Sequence, residues 1–467
     1  MTTVLSLCVL AIIALCFFNI KLGLAVYIGW YLLVPFNQVQ FGGFGLGVNF
    51  VNTLLLIAFL FNRRKFHSRW IAGAKNVIQR KNKLETLLFL ILRGQVTWRF
   101  SVFVPFLFYY GIFFVIIFFQ NETPLGWQLN YWRQNMMQTI LLPIYVWHVM
   151  QWDASSIKLY RKTLFVVIIL SAVYGIALMP LHGLNPYIMY IQMLKGEEYQ
   201  IGYALAEGSG RLFGRISSCF THPMAYGLFL GLSFIFVFSY RKKISNVLFF
   251  VMILLLSVNV VACGVRSSLG ALGVAMCFFL IFKGEVKLIL RMGIFGLLGL
   301  LIIMQIPELS DYVTSIVDFN QKHTQVGGSS FEMRLNQMEG CLNEISRSPF
   351  LGKGFGWHLY YIEKFGDHPI LLAFESLIFV VLCDNGFMGV LIWLVFIGAI
   401  IYNTKKIVKR DCSVLYSSLL FYVIYCCLTG EYNYLRLFLL FYVIMVSENL
   451  LATNIQKVKK LDEGSLV

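Results

Sequence analysis

Arginines are the residues whose type and placement best suit chemistry in this chain. Arg266 is the single charged residue between Asn246 and Phe282, and the segment Cys263-Gly-Val-Arg-Ser-Ser-Leu-Gly270 is the one place where that apolar stretch can turn. Arg215 stands just before another apolar run, and Arg334 begins an amphipathic segment. The planar guanidinium binds phosphate through two hydrogen bonds, so three arginines converging at one surface would suit a diphosphate.

Each arginine also has a simpler interpretation. An arginine in or near hydrocarbon costs roughly 2.5 to 3.5 kcal/mol, so Arg266 needs an anionic partner or a cavity, or else extends to the membrane surface as an anchor. Arg211 and Arg334 could instead be solvated loop charges, or Arg334 could pair with Glu332 or Glu339. Both interpretations of these arginines remain open from the residues alone.

Glu375 is the leading candidate for a proton acceptor. It is the only charge between Pro369 and Leu382. Loss of solvation makes a carboxylate more basic, which suits a general base. The alternative is a carboxylate that pairs with Arg266 or Arg334 and holds the loop in place. His222, beside a proline, is a second and weaker candidate base.

Composition identifies the elements that must position these residues. Of the 467 residues, 59% are hydrophobic and 13% are charged, about half the roughly 25% charged share of soluble domains, and the mean hydropathy is +0.75. Many uncharged apolar runs approach the ~20 residues needed to cross a bilayer as a helix. The sequence therefore predicts an all-α fold, a polytopic transmembrane helical bundle that forms a single domain over residues 1–467.

The apolar runs predict about 12 spans, within a range of 11 to 13, with the C-terminus in the cytoplasm. The candidate spans are residues 2–19, 23–37, 44–61, 101–119, 136–152, 164–180, 223–239, 246–263, 267–282, 289–305, 386–403, 413–429 and 434–451.

Charge indicates the sides of the membrane. Residues 62–100 hold ten Lys or Arg and one acid, as short cytoplasmic loops do. The net charge of +16 therefore reflects topology, and nucleic acid is not an expected partner. Alternation from this loop places residues 120–135, 181–222 and 306–385 outside.

The large outer loop, residues 306–385, has its own pattern. Apolar residues at spacings of 3 or 4 from Phe331 to Ile345 predict an amphipathic helix. A glycine-rich turn follows at Gly352-Lys-Gly-Phe-Gly356. The apolar stretch from Ile370 to Leu382 is predicted to be an interfacial or re-entrant helix, since a crossing there would place the basic run from Lys405 to Arg410 outside.

Motifs of soluble enzymes do not occur in the sequence. It contains no GxxxxGK[ST], HExxH or GxSxG, and no Cys or His spacing of a metal site. No metal and no cofactor is therefore expected.

Four blocks within residues 211–403 resemble the bacterial O-antigen polymerase and O-antigen ligase superfamily of membrane glycosyltransferases. They are Arg215-Ile-Ser-Ser-Cys-Phe-Thr-His-Pro-Met-Ala-Tyr-Gly227, Val265-Arg-Ser-Ser-Leu-Gly-Ala-Leu272, Met333-Arg-Leu-Asn-Gln-Met-Glu-Gly-Cys-Leu342 with Ser348-Pro-Phe-Leu-Gly-Lys-Gly-Phe-Gly356, and Glu375-Ser-Leu-Ile-Phe-Val-Val-Leu-Cys-Asp-Asn-Gly-Phe-Met-Gly389. Ligases of this superfamily typically begin the fourth block with His-Asn, whereas this chain has Glu375-Ser376, which favours a polymerase.

The resemblance implies transfer of a glycan from undecaprenyl diphosphate to a sugar hydroxyl of another lipid-linked repeat unit, without a metal, on the outer face of the bacterial inner membrane. It implies a polymerase of O-antigen or exopolysaccharide, with a chain-length regulator and a flippase as possible partners; a ligase that acts on a lipid A core, or a lipid-linked oligosaccharide flippase, remains an alternative. The implied catalytic residues are Arg266, Glu375 and Arg334. The implied substrate-binding residues are Arg215, Arg211, His222, Gly354 and Gly356.

Overall fold

Helices make up nearly all of the described structure. The computed structural model describes residues 2–41, 44–62, 101–195, 214–285, 331–372, 376–408, 411–429 and 435–464, with the single positions 287, 305 and 374. In these residues there are fifteen α-helices: α1 Thr2–Phe18, α2 Ile20–Leu33, α3 Val48–Asn62, α4 Val104–Ile116, α5 Leu125–Trp152, α6 Ser155–Ala177, α7 Pro186–Lys195, α8 Pro223–Ser239, α9 Asn246–Ala262, α10 Arg266–Phe282, α11 Phe331–Glu344, α12 Trp357–Phe365, α13 Leu377–Val408, α14 Ser413–Thr429 and α15 Leu435–Gly464.

The helical fold class is confirmed, with one small addition. The short strands Val39–Phe41 and Phe44–Leu46 pair antiparallel just before α3, with Val39 opposite Leu46. The apolar run predicted to span from residue 44 therefore becomes helical at Val48. Residues 289–304 of one predicted span, residues 306–330 of the large outer loop and residues 63–100 of the basic loop lie outside the described residues.

Helix lengths bear on the membrane assignment. Among the described residues, α6 and α13 are long and apolar enough to cross a membrane, and eight further apolar helices have 10 to 17 residues. Helix α5 begins at Leu125, so the first predicted outer segment, residues 120–135, is largely helical. The number of spans and their sides remain predictions.

Helix α8 lies at the centre of the bundle. Its residues from Pro223 to Phe238 are apolar on nearly every face, and almost all of them are buried. A helix that is hydrophobic all round suits a protein core or a membrane interior. Helices α9, α10, α14 and α15 pack against α8.

Ion pairs join the helices at one end of the bundle, which we call the ion-pair end. Arg241, after α8, pairs with Glu285, after α10. Lys283 pairs with Asp411, just before α14. These residues belong to the basic clusters that the sequence assigns to the cytoplasmic side, so the acids found there neutralise part of an excess of positive charge.

A bend divides α13 into two parts. Gly386 has φ 61° and ψ −159°, which interrupts the helix at the point where the sequence predicts a change from an interfacial segment to a span. Helices α11 and α12 pack against α13. A small apolar cluster separate from the main core includes residues from all three helices; its buried members are Cys341, Trp357, Leu371, Phe374, Phe379, Val380 and Cys383.

Candidate functional site

Side-chain hydrogen bonds bring the ends of α8, α10 and α14 together opposite the ion-pair end. Ser268 Oγ, in the first turn of α10, donates to Gly227 O of α8 at 2.9 Å. Tyr425 Oη of α14 donates to Met224 O of α8 at 2.5 Å. Helices α10 and α14 also pack along each other. We call this junction the site end of the bundle.

Arg266 and Arg215 lie on adjoining segments of the site end. Arg266 is the first residue of α10, after a turn in which Gly264 has φ 66°. The loop that carries Arg215 runs beside that turn, because Ile216 N donates to Ala262 O at 3.4 Å. Both arginines are partly buried. The structure thus places the first and second sequence blocks side by side, although they are separated by the whole α8–α9 hairpin.

Arg334 reaches the site end from the outer loop. Its Nη2 donates to the carbonyl oxygen of Leu428 at 3.1 Å, one turn beyond Tyr425 on α14. Ser376 Oγ donates to the neighbouring carbonyl of Cys427 at 2.7 Å. The third and fourth sequence blocks therefore meet at the last turn of α14. Arg211 and Glu375 lie outside the described residues, and their roles stay predictions.

His222 has a structural role at this end. It is the N-cap of α8, and its Nδ1 accepts a hydrogen bond from Met224 N at 3.2 Å. A nitrogen that accepts a hydrogen bond carries no proton, so Nδ1 is occupied by capping. A general base at His222 would have to use Nε2.

Gly354 and Gly356 form a tight turn at a position where packing excludes a side chain. Gly354 has φ 134°, and a Cβ there would lie 2.6 Å from Thr123. Gly356 has φ 77°, and a Cβ would lie 2.2 Å from Tyr131 Cδ1. The structure gives these glycines a packing role against the start of α5, while their predicted role in substrate binding stays a prediction.

A buried carboxylate organises this glycine turn. Asp384 accepts hydrogen bonds from Gly356 N at 3.0 Å and from His358 N at 2.9 Å. His358 Nδ1 lies 2.9 Å from Asp384 Oδ2, and both side chains are almost completely buried. The sequence did not single out this pair. The sequence nevertheless contains a signal, because Asp384 follows an apolar run and a buried acid needs hydrogen-bonding partners nearby.

Two glutamines from the first outer segment support the same turn. Phe355 N donates to Gln120 Oε1 at 3.0 Å and to Gln128 Oε1 at 2.9 Å. Gln120 Nε2 donates to the backbone oxygen of Asp384 at 3.0 Å. These contacts fix the glycine turn to the start of α5 and were also not predicted.

Lys353, Glu344 and His368 form a partly buried ionic network beside the turn. Lys353 pairs with Glu344 and lies 4.6 Å from the centre of the Trp357 ring. His368 Nε2 lies 3.2 Å from Glu344 Oε1. Burial alone would raise the pKa of the Glu344 carboxyl, but hydrogen bonds and charge from Lys353 and His368 outweigh it and hold that pKa below its ordinary value.

The described part of the chain contains no cluster of metal-binding side chains. No group of three or more His, Cys, Asp or Glu residues there could hold a metal ion. Metal-free chemistry stays a prediction.

The described residues form a helical bundle that carries Arg215, Arg266 and Arg334 at one end. Residues 250–394 match the family described as O-antigen ligase. The matched region covers most of α9, all of α10, α11 and α12, and the first half of α13. This match confirms the resemblance to the O-antigen ligase and polymerase superfamily. No curated protein matches the chain.

Proposed function

We propose that this protein polymerises a bacterial surface polysaccharide, O-antigen or exopolysaccharide. It transfers a glycan from undecaprenyl diphosphate to a sugar hydroxyl of another lipid-linked repeat unit. The observation that carries the proposal is the position of Arg266, which begins α10 inside the family-matched region, at the same end of the bundle as Arg215 and Arg334. The protein lies in the inner membrane as a multi-pass protein, with this end facing away from the cytoplasm.

The proposed role of the arginines is to stabilise the diphosphate of the carrier lipid as it leaves. The acceptor oxygen bonds to the anomeric carbon of the donor, and the bond from that carbon to the phosphate oxygen breaks with its electron pair. Negative charge develops on the diphosphate, where fixed guanidinium groups stabilise it most strongly in a site of low dielectric constant. The amino end of α10 adds a favourable dipole to Arg266.

Glu375 is the proposed acceptor of the hydroxyl proton. It immediately precedes Ser376, whose hydroxyl binds the Cys427 carbonyl beside the carbonyl that Arg334 contacts. A carboxylate close to the arginines can take the proton as the new glycosidic bond forms. The alternative role, an ion pair that holds the loop, would leave proton transfer to another group such as His222 Nε2.

The experiment that tests polymerisation compares surface glycan from four strains: wild type, a deletion strain, the deletion strain expressing Glu375→Gln, and the same strain expressing Glu363→Gln. Glu363 is exposed on α12 and provides the matched control. We expect the deletion strain and Glu375→Gln to carry single repeat units without polymer, and Glu363→Gln to carry full-length polymer. Active Glu375→Gln protein would refute the base assignment while leaving the polymerase proposal in place.

A ligase is the second candidate, because the matched family is described as O-antigen ligase. A ligase attaches glycan to a different acceptor, such as a lipid A core. In that case the deletion strain would carry no repeat units at its surface, not even single ones, and would accumulate polymer on the carrier lipid. That result would replace the polymerase proposal. A chain-length regulator and a flippase are proposed as partners only for the polymerase.

A further inference from the structure

Gln337 is a buried amide with no hydrogen bond in the described structure. Its side chain is fully buried on α11, and neither its Oε1 nor its Nε2 has a hydrogen-bond partner among the residues that the structure describes. Buried polar groups in native proteins are hydrogen-bonded in the great majority of cases. An amide with both atoms unsatisfied therefore requires an explanation.

The neighbours of Gln337 place it close to the proposed site. One turn earlier on the same face of α11, Arg334 contacts the Leu428 carbonyl at the end of α14. One turn later, Cys341 Sγ lies 3.9 Å from the Phe379 carbonyl on α13. Gln337 thus lies on α11 between a residue that contacts the last turn of α14 and a residue that contacts α13.

We infer that Gln337 binds the sugar nearest the diphosphate on the lipid-linked substrate. This inference rests on the proposed function, and it adds a residue that recognises the glycan to the arginines that bind the phosphates. Three residues, about 4.5 Å along the helix axis, separate Gln337 from Arg334 on α11. That separation is comparable to the distance from a phosphate to the first sugar ring attached to it.

The chemistry of the amide favours hydroxyl groups over phosphate oxygens. A primary amide offers donors at Nε2 and an acceptor at Oε1, and both lack partners here. Phosphate oxygens would satisfy the donors alone. Two adjacent sugar hydroxyls would satisfy both atoms, since one hydroxyl can accept from Nε2 while the other donates to Oε1.

The test separates sugar binding from diphosphate binding. Wild type, Gln337→Met, Arg266→Ala and Asn336→Met are purified in detergent, and their melting temperatures are measured alone, with undecaprenyl diphosphate, and with lipid-linked glycan extracted from the deletion strain. Methionine nearly matches the shape of glutamine without its polar groups, so Gln337→Met removes an unsatisfied amide and should melt at the same or a higher temperature without ligand. Asn336 is exposed on the same helix and provides the control.

We expect the glycan-bearing lipid to bind wild type and Asn336→Met more tightly than the bare diphosphate does. Gln337→Met should bind the bare lipid normally and lose about tenfold in affinity for the glycan-bearing lipid, as expected for two neutral hydrogen bonds. Arg266→Ala should bind both lipids weakly. Equal binding of the glycan-bearing lipid by Gln337→Met and wild type would overturn the role of Gln337 and leave the proposed function intact. If wild type bound neither lipid, the proposed function would fail and Gln337 with it.

Discussion

Asp384 and His358 form a buried pair in which the imidazole Nδ1 lies 2.9 Å from carboxylate Oδ2. The same carboxylate accepts backbone hydrogen bonds from Gly356 and His358. The bend of α13 at Gly386 is therefore joined to the start of α12 by one side chain. The contact therefore fixes the position of the glycine turn relative to α13.

Asp384→Asn should destabilise the outer loop strongly. The amide can accept hydrogen bonds through one oxygen, whereas the carboxylate accepts from two backbone groups and an imidazole, so at least one buried donor loses its partner. Removing one partner of a buried, hydrogen-bonded charged pair typically lowers the free energy of unfolding by about 3 kcal/mol or more. Thermal unfolding in detergent would show this as a lower melting temperature. A variant as stable as wild type would contradict the role of Asp384.

Gly356→Ala should be more destabilising than Gly284→Ala. Both glycines have positive φ, 77° and 67°, so alanine incurs a backbone cost at either position. Gly356 alone of the two has a close neighbour, since its Cβ would lie 2.2 Å from Tyr131, whereas a Cβ at Gly284 would meet nothing within 4 Å. The difference between their melting temperatures measures the packing of the glycine turn. Equal melting temperatures would show that Tyr131 moves aside freely.

Arg266→Lys should lose nearly as much polymer as Arg266→Ala. A lysine ammonium keeps the charge but cannot reproduce the two parallel hydrogen bonds of a guanidinium to phosphate. Polymer length on a gel, at matched protein levels, checks this expectation. Lys242→Ala provides a control, because Lys242 is an exposed cation near the ion-pair end. Full-length polymer from Arg266→Lys would exclude a bidentate role.

Glu344 should make the protein sensitive to acid. Its folded-state pKa lies below the ordinary value of 4.5, so the unfolded chain binds more protons than the folded chain between the two values. The stabilisation is fully present above pH 4.5 and is lost as the pH falls through the folded-state pKa. Melting temperature measured against pH should therefore decline less on acidification in Glu344→Gln than in wild type. An identical acid dependence in the two proteins would argue against the network with Lys353 and His368.

Labelling of single cysteines can test the two sides of the membrane. Asp367 on the outer loop and Lys242 at the ion-pair end are both exposed, whereas His368 is buried and would react poorly. In a variant without native cysteines, a membrane-impermeant thiol reagent added to intact cells should label Asp367→Cys but not Lys242→Cys. Lysis should make Lys242→Cys reactive. Labelling of Lys242→Cys before lysis would reverse the topology.

The amino-acid sequence by itself determined the helices and their charge asymmetry. Predicted spans at 223–239 and 413–429 coincide with α8 and α14, because a backbone in hydrocarbon must satisfy its hydrogen bonds within each helix, which leaves apolar run length as the dominant signal. The amphipathic helix α11 was equally predictable, since its spacing of apolar residues is a local property.

The tertiary structure alone decided which polar groups meet. Gln120 binds the backbone of Asp384 across 264 positions, and Arg334 contacts Leu428 across 94. Local periodicity carries no information about such pairs, because they depend on how helices are arranged after each has formed. For the same reason the sequence drew attention to Arg334 as an arginine in an amphipathic helix, whereas the amide of Gln337, unsatisfied among the described residues, became visible only when its surroundings were known. A buried polar group is defined by the residues that enclose it.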